Sequence, residues 1–276
     1  MELTTLLEYS YVVHPDVDTS QTVKSTPFDT PFGNGHDISG VLSGCDMCSV
    51  RKEGVCGALE GRRIDKINRV SHRRNFAAGQ MILAEGAHAE FFGTIVSGVV
   101  KLTKTLADGR QHIVGLLFPS DFLGRAFRNE NKYYAEAATD VDLCCFPRPA
   151  FEKLLAECPP VGNCLFRLTL NELDACQEWM LLLGRKSAEE RVASFLMMIA
   201  RRAATPSADG SLQFELPLAR SDIADCLGLT IETVSRQITR LKSRRIIELV
   251  SNREILIPDM ACLEEASNGR AHTSFD

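Results

Sequence analysis

The sequence predicts an α+β chain made of an antiparallel β-roll, one long helix and a C-terminal winged helix-turn-helix. Three observations predict it. Between Asn75 and Phe146 short apolar runs recur between glycines, from Phe166 to Leu183 apolar positions fall alternately four and three apart, and after Leu216 two short helical patterns flank Gly228 before a hairpin pattern. At 276 residues the chain is long enough for two ordinary domains, because single cores stop growing near ~250 to 300 residues. Its 45 % apolar and 24 % charged residues match a packed globular chain and exclude a fibrous repeat or disorder throughout.

Residues 1–44 hold Glu2, Glu8, Asp16, Asp18, Asp29 and Asp37 against Lys24 alone, and from His14 onward they show no apolar period. This is the composition of a mobile acidic tail. Residues 45–74 form a cysteine-bearing loop and a helix. In 75–158, strand-length runs such as Met81–Leu83, Thr94–Val96, Val99–Leu102 and His112–Val114 alternate with turn signals at Gly86, Gly98, Asp108-Gly109 and Gly124, the mark of an antiparallel roll.

After Pro159-Pro160 the pattern turns helical, over 159–186. Phe166, Leu173 and Met180, with Thr169, Cys176 and Leu183, make a heptad seam that suits a two-stranded coiled coil and hence a homodimer; Gly184 interrupts it. The last segment, 187–276, starts with a helix from Ala188 to Arg202 and a loop over Pro206–Gly210. Ser221 is placed to cap a helix Asp222–Leu227, Gly228 to make the turn, and Thr230 to cap a second helix to Ser243. Ile246–Val250 and Glu254–Ile257 then read as the hairpin of a wing. On the second helix Ile231, Val234, Ile238 and Leu241 share the inner face and Glu232, Ser235, Arg236, Thr239 and Arg240 the outer one.

The formal charge of −5 sits entirely in 1–44, leaving thirty acids against thirty bases elsewhere. Within that balance, residues 232–245 carry Arg236, Arg240, Lys242, Arg244 and Arg245 against Glu232 alone. Arginine pairs bidentately with guanine and glutamate accepts from the cytosine amino group, so this outer face suits a major groove. Apolar runs such as Trp179–Leu183 fall far short of the ~20 residues of a membrane helix, and Met1-Glu2-Leu3-Thr4-Thr5 has no basic leader pattern. A cytoplasmic chain is expected.

Ten cysteines in such a chain are expected to be reduced thiols. Cys158, Cys164, Cys176, Cys226 and Cys262 are scattered and read as core residues. Cys45-x2-Cys48-x7-Cys56 supplies three ligands of a four-ligand sulfur site, zinc or iron-sulfur, with Cys144, Cys145 or His72 open as the fourth. Spacing alone favours zinc slightly, although a zinc ribbon wants two Cys-x2-Cys pairs. No Gly-x4-Gly-Lys, His-Glu-x2-His or Gly-x-Ser-x-Gly motif is present, so no catalytic constellation competes and no enzyme is expected.

The stretch Leu227-Gly228-Leu229-Thr230-Ile231-Glu232-Thr233-Val234-Ser235-Arg236 resembles the recognition-helix signature of the CRP/FNR family of bacterial regulators, in the Glu-x-x-Ser-Arg form of the FNR branch. Leu181–Val192 is similar to the family's link from dimer helix to DNA-binding domain. The resemblance covers about 45–260 and implies a cyclic-nucleotide-binding-like roll as the sensor domain. It implies a 4Fe-4S cluster on Cys45, Cys48, Cys56 and Cys144, whose spacing resembles that of alphaproteobacterial members. Cys144 is selected because the family's cysteine lies three residues before a proline, here Pro147; Cys145 ranks second.

By the same resemblance the chain dimerises at low oxygen and binds an inverted repeat like TTGAT and ATCAA through Glu232, Ser235, Arg236 and Arg240. The implied dimer contacts are Phe166, Leu173, Cys176, Met180 and Leu183, and RNA polymerase is the implied partner of an activator. Cyclic AMP is not expected, because Phe122–Ala126 and Tyr133–Glu136 lack the Gly-Glu and Arg-Ser or Arg-Thr pairs of a nucleotide pocket. Cys176 is neutral where the best-known relatives place an acid, so cluster-free protein should dimerise more readily than theirs. The alternatives are structural zinc and metal-free redox thiols; no histidine stands out as a haem ligand.

Overall fold

The computed structural model describes residues 44–45, 47–59, 61–207 and 209–269. The acidic tail expected over 1–44 lies outside the described residues except for Gly44. Helix α1 (Arg62–Val70) leads into strands β1 (His72–Phe76), β2 (Met81–Leu83), β3 (Phe91–Ser97), β4 (Val100–Thr105), β5 (Gln111–Leu117), β6 (Phe122–Leu123), β7 (Tyr134–Ala137) and β8 (Val141–Pro147). The roll therefore begins at His72 and not at Asn75. His72, Arg73 and Arg74 are polar, yet their backbone groups complete the ladder with β8, which an apolar pattern does not reveal.

Two four-stranded antiparallel sheets, ordered β1-β8-β3-β6 and β2-β7-β4-β5, enclose one core. Ile95, Leu123, Ala135, Ala137, Leu143 and Cys145 have no exposed surface within it. Side chains on a strand alternate between faces. In β8 that alternation turns Val141, Leu143 and Cys145 into the roll, and Asp142, Cys144 and Phe146 outward.

A second apolar cluster covers the outer side. Helix α2 (Arg148–Glu157) seats Phe151 against Phe92, Phe122 and Phe146, with ring centroids 5.4, 5.2 and 5.6 Å apart. Val55 from the cysteine loop, Ile64 and Ile67 from α1, and Val161 from the first turn of the next helix join the same cluster. Burying a side chain of this size stabilises by about 1.5–3 kcal/mol, so the loop, the roll and the long helix are bound into one body here.

That helix, α3 (Pro159–Arg185), runs 27 residues and passes through Gly184 without a break. A single exposed helical glycine costs only about 1 kcal/mol, too little to end a helix of this length. All ten positions from Thr169 to Glu178 are exposed. Phe166, Leu173 and Met180 are 65, 51 and 65 % exposed, an apolar stripe on an otherwise solvated rod. Cys176 lies exposed on this stripe and is no core residue, because this stretch of α3 has left the roll; Leu183 is half-buried against the next domain. Of the scattered cysteines, Cys158, Cys164 and Cys226 are buried, while Cys262 is only partly covered, since its thiol turns to the Asp259 carboxylate 3.3 Å away.

The last module comprises α4 (Ala188–Ala203), β9 (Thr205–Pro206), β10 (Leu212–Glu215), α5 (Arg220–Leu227), α6 (Ile231–Ser243), β11 (Glu248–Leu249), β12 (Glu254–Ile257) and α7 (Met260–Ser267). The wing pairs Glu248 with Leu256 and Leu249 with Ile255, and its sheet continues through β10 to β9. Ser187 and Glu190 close a capping box on α4, and the Thr230 hydroxyl accepts from the Thr233 amide to cap α6. Ser221 caps nothing: α5 starts two residues earlier, after Ala219, so Ser221 lies inside it. Gly228 adopts φ +61°, the left-handed turn between the two helices that glycine takes without strain. Ile231 is exposed while Gln237 is buried beside Val234, Ile238 and Leu241. Ile231 is the first helical residue, before the face that meets α4 and α5.

Arg191 fastens α3 to this module. Its guanidinium donates to the carbonyls of Leu183 at 2.7 Å, Lys186 at 3.0 Å and Leu227 at 3.0 Å, the open ends of α3 and α5. Arg191→Ala leaves these carbonyls without their charged donor and is expected to cost about 2 kcal/mol, read as a lowered urea midpoint with an unchanged slope.

Candidate functional site

Cys45 and Cys48 lie in the turns before α1, and Cys56 on the 3-10 turn Val55–Ala58. The loop folds back closely at Gly57, where a Cβ would come within 2.5 Å of the Lys52 carbonyl oxygen, so only glycine fits. Cys144 reaches the same place from the outer face of β8. All four cysteines line a single pocket of about 110 Å³ between the loop and the sheet. The Cys45 thiol donates to Asn68 Oδ1 at 3.2 Å, and Arg73 Nη2 lies 3.7 Å from Cys48 Sγ while Arg73 Nη1 pairs with Asp142 Oδ2 at 2.6 Å.

Of the alternatives for the fourth position, His72 also lines this pocket, whereas Cys145 does not. Cys145 has its side chain sealed in the roll core, and His72 is exposed, opposite Cys145 and not Cys144. Among the described residues no three His, Cys, Asp or Glu side chains converge to hold a single metal ion.

Burial pushes the Cys56 thiol up to about 12, reinforced by Cys144, Cys45 and Cys48 and opposed by Arg51. Burial likewise pushes Cys144 up to about 11, with the Arg73 charge and the Ser71 hydroxyl pulling it down. Gathering thiolates in this pocket is therefore costly until a cation joins them.

The second candidate site is the outer face of α6. Glu232, Ser235, Arg236, Thr239 and Arg240 are all exposed there. The Glu232 carboxyl is held below its usual range by backbone hydrogen bonding at the helix start and by Thr230, so it stays ionised. Arg236 Nη2 donates to Thr233 Oγ1 at 3.3 Å, which aims its guanidinium along the face. Arg240 is already engaged: its Nε lies 3.0 Å from Glu189 on α4, and Arg244 pairs with the same carboxylate.

A family model for the Crp-like helix-turn-helix domain matches residues 190–266, and one for the cyclic nucleotide-binding domain matches 73–158. The chain is 48 % identical to a Rhizobium leguminosarum bv. viciae protein named "Probable transcriptional activator", over 82 % of this chain and 94 % of that one. It is 42 % identical to the transcriptional activator protein FnrL of Cereibacter sphaeroides, over 84 and 96 %. The chain belongs to the CRP/FNR family. Among solved structures FixK2 from Bradyrhizobium japonicum superposes with a TM-score of 0.67 at 34 % identity, covering 74 % of this chain and 100 % of that one. This CRP/FNR protein is thus a DNA-binding transcription activator of the FNR/FixK type and not an enzyme, built from the predicted roll, long helix and helix-turn-helix. Among its described residues no helix is long and apolar enough to cross a membrane.

Sequence reading did not find the polar surround of the pocket, Asn68, Ser71, Arg73 and Thr94. The packing of α1 brings Asn68 and Ser71 to the cysteines, and the pairing of β1 and β3 with β8 brings Arg73 and Thr94. In metal-free protein, Cys56 and Cys144 are expected to alkylate far more slowly at pH 8 than a cysteine in an unstructured peptide, with rates still climbing above pH 10, because only the thiolate reacts. Peptide mass spectrometry after timed iodoacetamide treatment checks this.

Proposed function

We propose that this regulator senses oxygen through a 4Fe-4S cluster held by Cys45, Cys48, Cys56 and Cys144, and that it dimerises along α3 to bind an FNR-like inverted repeat. One observation carries the reading: four thiols from segments almost ninety residues apart line one pocket between the loop and β8. The donor set fits the group. The pocket is several times the ~10–15 Å³ that one water needs, and four thiols line it. A zinc ion wants all its sulfurs at about 2.3 Å from one centre, whereas a cluster of this kind takes one thiolate at each iron. When bound, such a cluster supplies an oxygen-labile cross-link between the loop and β8.

The protein's own residues convey the rest. Val55 beside Cys56 packs in the same cluster as Val161 of α3, so the order of the loop bears on the helix base. The exposed stripe of Phe166, Leu173, Cys176 and Met180, with Leu183 at its end, is the surface a second copy covers as a coiled coil. Arg191 then transmits the position of α3 to α5 and α6. A two-fold dimer must set its recognition helices about one DNA turn apart, ~34 Å. Glu232, Ser235 and Arg236 read base edges, and Arg240 exchanges Glu189 for DNA. RNA polymerase is the partner of the bound dimer. The roll is assigned no cyclic nucleotide: Glu136, in the stretch that lines such a pocket, pairs with Lys101 at 2.9 Å.

Protein purified without oxygen is expected to be brown, to hold about four irons and four sulfides per chain, and to bleach in air. Cys144→Ala should stay colourless, whereas Cys145→Ala should colour like wild type. A colourless wild type holding zinc, or no metal, overturns the sensor reading and leaves the DNA-binding half intact. For that half, Arg236→Ala should lose about 1–3 kcal/mol per half-site and discriminate less between cognate and scrambled duplexes, measured by gel shift at fixed salt.

A further inference from the structure

We propose that the Thr94 hydroxyl is a hydrogen-bond donor built into the cysteine pocket for the sulfur-rich group held there, and that it governs how firmly that group is retained. The inference rests on the cluster reading above. Cys144 on β8 has two directly opposed neighbours, Arg73 on β1 and Thr94 on β3. Opposed residues on neighbouring strands project from the same face about 5 Å apart, so the three form one row along the pocket wall. All three line the pocket.

Their hydrogen bonding differs. Arg73 is spoken for by Asp142 and Cys48, and Asn68 accepts from Cys45. Thr94 is 3 % exposed, and its Oγ1 is buried with no partner among the described residues, the one such side-chain atom among the residues lining the pocket. Its methyl is fixed toward Gly54, where a Cβ would come within 3.2 Å of Thr94 Cγ2. A buried hydroxyl without a partner destabilises a fold, and valine fills the same volume without that cost. The cost is offset once an acceptor enters the pocket. Cluster sulfides and the thiolates around them are such acceptors, and outer-shell hydrogen bonds to metal sites change retention about tenfold to a hundredfold. Thr94 is thus a positioning residue for the bound group and not a ligand.

The test compares wild type, Thr94→Val and Thr94→Ser in the full chain. Each is reconstituted anaerobically with ferrous iron and sulfide, then challenged with a chelator while absorbance is followed. The Val variant is expected to lose iron about tenfold faster or more and to have a more negative cluster midpoint potential, because a donor that stabilises the reduced, more negative cluster is gone; the Ser variant should stay near wild type. In metal-free protein the order reverses: Thr94→Val should unfold at the same or a higher urea concentration than wild type. Equal iron loss in wild type and Val overturns the proposal and leaves the cluster reading standing, as does an apo Val variant less stable than wild type, which marks the hydroxyl as already bonded. A wild type that takes up no iron removes both.

Discussion

Phe151 is the piece of chemistry on which the rest of the molecule hangs. Its ring lies against Phe92, Phe122 and Phe146, so a helix that follows the roll is fixed to three of its strands, and the same apolar cluster takes in Val55 and Val161. Without it the cysteine loop would have no floor and α3 no fixed origin. Interiors packed at crystal density pass small displacements on without absorbing them. A change in the order of the loop is therefore felt at the first turn of a 27-residue rod that is exposed from Thr169 to Glu178 and meets the next domain again at Leu182 and Leu183.

Much of this was legible in the sequence because the signals were periodic. The stripe of α3, the pair of helices about Gly228 and the wing all follow from spacing, and apart from the start of α5 they lie where spacing puts them. The misses share a cause. β1 opens with three polar residues whose ladder bonds an apolar pattern does not show; β10 is four residues long and β9, at the edge of the wing sheet, only two; Ser221 satisfies a capping rule two residues too late. The residues alone left Cys144 and Cys145 open, and only the family resemblance chose between them; the structure turns Cys144 toward the pocket and Cys145 into the core. Val141, Leu143 and Cys145 occupy alternate positions, so a strand with an apolar inner face must turn Cys144 the other way. What no pattern could show is the row Arg73, Cys144, Thr94, since the register of three strands distant in sequence creates it.

The two domains of one chain also touch directly. Lys101 of β4 lies 2.9 Å from Glu136 and 3.4 Å from Asp222 on α5, and Arg202 of α4 pairs with Asp121 while its guanidinium covers the Phe118 ring at 5.1 Å. The helix-turn-helix is thus held at its root by Arg191 and along its flank by the roll. A single mobile link would let the recognition helices sample many separations. Two points of attachment limit that freedom and lower the entropy lost on binding DNA.

Glu189 gives the basic end of α6 an internal counterion. Two of the five cations over 232–245 share one carboxylate that is itself 15 % exposed, which cancels one of their two charges. Affinity for a polyanion normally grows as mobile ions are released from it, one for nearly each phosphate matched by a protein cation. A cation that must first leave a protein carboxylate adds little to that release. The binding of this regulator to DNA should consequently depend less steeply on salt than its count of arginines suggests, and a larger share of its grip should come from base contacts that salt does not screen.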